Sequence, residues 1–163
     1  MKRIEEDVVE STWQEVAGYG MDEACDRMND LAAQQPALVG FVHHHSKELS
    51  RDAQELGMYI FFVVYKIFEK SAPKPIKRIS SQSISDSYQI NELFISSLEN
   101  AHEKFFKRNA ETMAERQPNI MRYVLEAMME KNEDDPVELT EEDVGMLFLI
   151  EKTVIDVLDS VTD

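Results

Sequence analysis

Apolar residues run almost unbroken over 56–68, from Leu56-Gly57-Met58-Tyr59-Ile60-Phe61 to Ile67-Phe68, and the first charge in the run is Lys66. A second run, Val144-Gly145-Met146-Leu147-Phe148-Leu149-Ile150, follows an acidic residue with the same aliphatic, Gly, Met order that opens the first. A helix that is apolar nearly all round is wrapped by other helices in a core, and the first run is shorter than the roughly 20 residues a bilayer requires. The pattern predicts two central helices of a soluble bundle and no membrane span.

Around these runs the apolar positions keep a helical period. Val8, Val9, Trp13, Val16 and Ala17 mark a first helical segment over 4–34, with Glu5, Glu6 and Asp7 in its opening turn. Gly18-Tyr19-Gly20 predicts a kink or short break, because each glycine costs about 1 kcal/mol of helix stability relative to Ala, and Asp22 is the expected cap of the resumed helix. Pro36 ends that segment and opens a helix over 36–48, and Ser50 is the expected N-cap of the first central helix. Further on, the spacing predicts a long helix over 87–116, a Pro118-opened helix over 118–131, and a last helix over 140–160. This last begins on a capping box in which Thr140 is the N-cap and Asp143 reciprocates. Five glycines and five prolines in 163 residues leave few turns, so the fold class expected is all-α, a compact bundle of about six helices.

The two halves of the chain resemble each other. Leu31-Ala32-Ala33-Gln34-Gln35-Pro36 aligns with Met113-Ala114-Glu115-Arg116-Gln117-Pro118 at an offset of 82, and Val8, Trp13, Val16 and Ala24 then fall on Ile90, Ile95, Leu98 and Phe106. After the acidic turn Asn132-Glu133-Asp134-Asp135-Pro136 the offset becomes 88, which sets Gly57-Met58 on Gly145-Met146. The expectation is a single domain of two half-repeats, 4–70 and 86–160, joined by a Pro/Ser/Lys-rich connector, 71–87, with the central helices approaching closely at Gly57 and Gly145. Two units fall short of the three a solenoid usually needs.

Charge changes this picture in one respect. The net charge is −15, and residues 126–163 alone hold 13 acidic and two basic side chains. Such a surface repels phosphate backbones, which argues against nucleic acid and is compatible with a basic or amphipathic protein partner. The one basic stretch is Lys74, Lys77 and Arg78 in the connector, a candidate contact for an acidic or phosphorylated partner, with Ser80 and Ser81 as candidate modification sites behind it. Cys25 is alone and Met1-Lys2-Arg3 leads into acidic residues, so a cytoplasmic location is expected.

Candidate chemistry is sparse. His43-His44-His45 invites a metal reading, but consecutive helical residues point about 100° apart, and ligand pairs on a helix sit three or four residues apart. His45 falls on the stripe of Leu38, Phe41 and Leu49 and is expected to be partly buried and hydrogen-bonded, with His43 or His44 facing water. Glu99 and His102 have the Glu-x-x-His spacing of di-metal bundles, yet no second such motif exists, and none of these histidines is echoed in the other half. The acidic turn lacks the alternating ligands and central Gly of a calcium loop. No catalytic or cofactor-binding residues stand out. The sequence thus points to an intracellular interaction module, an adaptor, regulator or chaperone-like binder, whose five tyrosines and nine methionines are candidates for lining an adaptable groove. The competing reading is a metal- or small-molecule-binding bundle using Glu99, His102 and one or more of His43, His44 and His45. A homodimeric structural subunit is a third.

Overall fold

A computed structural model of the chain describes residues 2–98, 116–130 and 138–163. Every regular element among them is a helix: α1 (Glu6–Ala17), α2 (Met21–Gln34), α3 (Pro36–Ser46), α4 (Arg51–Ser71), α5 (Ser81–Leu98), α6 (Pro118–Met129) and α7 (Glu141–Val161). No helix among the described residues is long and apolar enough to cross a membrane. The second part of the expected 87–116 helix and the acidic turn lie outside the described residues.

Local signals set most of the boundaries. The Gly18-Tyr19-Gly20 stretch does separate α1 from α2, but Gly20, in extended conformation, takes the N-cap position, and Asp22 sits in the first turn. Its carboxylate there complements the helix dipole without capping. Pro36 and Pro118 occupy the first turns of α3 and α6. Ser50 caps α4, accepting a hydrogen bond from the Ala53 N–H at 3.2 Å, and Thr140 with Asp143 forms the full capping box of α7.

The connector is shorter than its composition suggests. Ser81–Leu98 is helical, so the serine-rich stretch belongs to α5, with the Ser80 hydroxyl accepting from the Ser83 N–H at 3.2 Å. Ile84 and Asn91 are buried and Tyr88 half-buried, a spacing that puts them on one face and leaves most of the serines to solvent. Burial on that face outweighs the low helix propensity of serine, an effect that composition does not show.

The centre of the bundle is α4 against α7. Ile60, Phe61, Phe62, Val63 and Val64 are all buried in succession, as are Leu147 to Ile155 on α7, so both helices are enclosed all round. Their N-termini meet where Ser50 Oγ donates to Asp143 Oδ2 at 3.4 Å, and the two helices run in the same direction from there. A Cβ on Gly57 would lie 2.6 Å from Leu147 Cδ2, so this glycine permits the close approach. Gly145 does not take part: a Cβ there meets nothing within 4 Å among the described residues. The expected glycine-to-glycine contact is a glycine-to-leucine one.

The buried surface of α7 is polar where α4 is apolar. Lys152 Nζ lies 2.6 Å from both carboxylate oxygens of Asp156, and Asn91 on α5 donates to Thr153 Oγ1 at 3.2 Å and Asp156 Oδ2 at 3.0 Å. Glu151 is fully buried and neither of its carboxylate oxygens has a hydrogen-bond partner among the described residues. Burial pushes the pKa of this carboxyl well above the usual carboxylate range.

Two extended straps are fastened by one device used twice. Gln35, at φ −129° and ψ 60°, accepts from the Ile79 N–H at 3.0 Å and donates to the Lys77 carbonyl at 3.0 Å. Gln117, at φ −131° and ψ 64°, accepts from the Ile4 N–H at 3.0 Å and donates to the Lys2 carbonyl at 3.2 Å. Each glutamine precedes the proline that opens a helix, and each clasped strap reads Lys-Arg-Ile. Both glutamines and both isoleucines are buried.

Candidate functional site

The histidine run is at the surface of α3, facing α5. His43 and His44 are exposed, and His45 is half-buried with its Nδ1 donating to the Phe41 carbonyl at 3.1 Å. The His45 ring packs between Phe41, 4.5 Å away between centroids, and Tyr88 of α5, 4.4 Å away; Phe41 and Tyr88 meet edge to face at 5.6 Å. His44 adds a fourth ring 5.1 Å from His45. These rings form one wall of a mostly apolar groove of about 430 Å³, with Ile84 on its floor and the small residues Ala37, Gly40, Ser81 and Ser85 along it.

The electrostatics follow from the packing. Burial lowers the His45 pKa, opposed by its hydrogen bond to the Phe41 carbonyl and by Glu92 and reinforced by His44, so the ring is neutral at pH 7. Burial, and then Glu92, raises the Tyr88 hydroxyl. His45 therefore contributes an aromatic surface here. Among the described residues no three His, Cys, Asp or Glu side chains converge as metal ligands would. Glu99 and His102 lie outside the described residues.

The positions that border the groove have counterparts beside the second strap. Gly40 stands five residues after Gln35, and Arg122 stands five after Gln117; Ser81 stands two after Ile79, and Glu6 two after Ile4. Where Gly40 and Ser81 leave the space between α3 and α5 open, Arg122 Nη1 and Glu6 Oε1 pair at 3.0 Å between α6 and α1. Nothing lies within 4 Å of a Cβ built on Gly40.

Other candidate features are bound up in the fold. Lys74, Lys77 and Arg78 are exposed, but the Lys77 carbonyl is held by Gln35 and the Arg78 guanidinium donates to the Ala33 carbonyl at 3.2 Å. The acidic excess after Glu126 is only partly surface: Asp143, Glu151 and Asp159 are buried. A smaller cleft of about 180 Å³ between α2 and α4 carries Arg27 and Lys66, which are paired with Glu23 and Glu69. The groove residues Gly40, Ile84 and Ser85 had no sequence signal of their own, while Tyr88 was among the tyrosines expected to line a groove. The twofold recurrence of Lys-Arg-Ile and Gln-Pro was the available pointer to them. No family model, curated protein or solved structure matches this chain.

Proposed function

We propose that this chain is a protein-interaction module that holds a segment of its partner in the groove between α3 and α5. The observation that carries the reading is the groove itself, an open and mostly apolar space where the rings of Phe41, His45 and Tyr88 meet beside Gly40 and Ser81. A bundle that needed this space only for packing would fill it, as close-packed interiors do. An open, ring-walled groove beside small residues suits a short side-chain-bearing segment.

The scaffold for this site is a pair of half-repeats. Aligning the clasped straps sets Ile4 on Ile79, an offset of 75, and the buried Val9 and Val16 then fall on the buried Ile84 and Asn91. The offset of 82 for this stretch puts the half-buried Val8 on Ile90, which is 68% exposed. The shorter offset also pairs Trp13 with Tyr88, while Phe41 still pairs with Tyr123.

The test plugs the groove. Gly40→Arg with Ser81→Glu puts long side chains of opposite charge on its border and leaves net charge unchanged. Tag-free wild type and the double variant are each used to capture proteins from source-cell lysate. A protein held by the wild type and lost from a variant with an unchanged circular dichroism spectrum supports the reading. Identical capture by both argues against it.

A further inference from the structure

The lining of the groove specifies its occupant further. Its lining includes the rings of His45 and Tyr88, both half-exposed, and aromatic rings attract cations through their quadrupole. Glu92, exposed on α5 one turn beyond Tyr88, places a carboxylate close enough to act on both rings. Glu48 and Asp86 are also exposed on the two helices or their ends, and the chain as a whole carries −15. The nearest cation on the strap, Arg78, is turned to the Ala33 carbonyl. Phe41 and Ile84 complete the surface with an apolar floor.

Resting on the reading of this groove as a binding site, we propose that its occupant is a cationic amphipathic segment of a protein partner. The segment sets an apolar side chain on Ile84 and Phe41, and a lysine or arginine across the faces of His45 and Tyr88 beside Glu92. The negative surface of the chain speeds the approach of such a segment, and the groove selects where it settles.

The experiment uses the full chain and three labelled helical peptides of one apolar pattern, with lysine, glutamine or glutamate at the polar positions, followed by fluorescence anisotropy at pH 7.5. The lysine peptide is expected to bind wild type, and to bind the Gly40→Arg, Ser81→Glu variant about tenfold more weakly, the scale of one cation–π contact with its apolar neighbour. Since the variant has the same net charge, long-range attraction is equal in both. Should the double variant fold poorly, Gly40→Gln fills the same space as a single change and is expected to weaken binding in the same direction. If the glutamine or glutamate peptide binds as tightly as the lysine peptide and is lost from the plugged protein, the groove is a binding site and the cationic occupant is wrong. If the lysine peptide binds wild type and plugged protein alike, or no peptide binds, both the occupant and the groove reading fall.

Discussion

Glu151 is the residue whose surroundings least suit it. Its carboxyl is enclosed by the core, no hydrogen-bond partner among the described residues reaches it, and burial raises its pKa well above the ordinary value. A group whose folded-state pKa is raised contributes stability fully below the unfolded value near 4.5, and that contribution is lost as pH climbs toward the folded value. Replacing it removes that loss. Glu151→Gln is expected to flatten the fall in stability between pH 5 and pH 8, and Glu151→Leu to raise stability at pH 8 by about 1–3 kcal/mol, the cost of a buried unsatisfied group. Urea denaturation of the three proteins at both pH values measures this, and a wild type more stable at pH 8 than Glu151→Leu contradicts it. None of this was legible in the sequence, where Glu151-Lys152 follows the end of the apolar run. Burial on α7 continues for several residues past the apolar run that ends at Ile150.

At the scale of elements, signals that act within a few residues were readable and those that act across the chain were not. Pro36, Pro118, Ser50 and the Thr140–Asp143 box mark helix starts because capping is a local transaction between a side chain and the next turn. The start of α5 was hidden, since its serines read as a connector and only the burial of Ile84 and Asn91 makes them helical. The glycine pair was half legible. Gly57→Ala is expected to lower stability by about 1–2 kcal/mol, because overpacking against fully buried Leu147 outweighs the gain in helix propensity. Gly145→Ala, with open space at its Cβ, is expected to raise it by about 0.5–1 kcal/mol. Thermal unfolding of the two variants separates these signs, and Gly57→Ala combined with Leu147→Ala should lose less than the sum of the two single losses through their coupling.

For the whole molecule, the two clasps tie distant segments together. Gln35→Ala strands the Ile79 N–H and the Lys77 carbonyl, and Gln117→Ala strands the Ile4 N–H, the Lys2 carbonyl and a bond of 2.8 Å to Asp159 Oδ1. Each substitution is expected to cost about 1–3 kcal/mol, with Gln117→Ala the larger because more partners are left. Equal losses, measured by denaturant titration, would show that the bond to Asp159 contributes nothing. The groove belongs to this scale too. It unites α3 and α5, which the sequence separates by a connector, and so its outline could not be read from either helix alone.

The same fastenings differ in how far along the chain they reach. Gln35 holds a strap 42 to 44 residues away, whereas Gln117 holds one 113 to 115 residues away. During synthesis the first can close once Ile79 has left the ribosome. Lys2 to Ile4 have no glutamine to receive them until Gln117 has been made, and closing so long a loop is entropically the slower step. This strap is thus secured later than the other, and a nascent chain stalled before Gln117 would carry it unfastened.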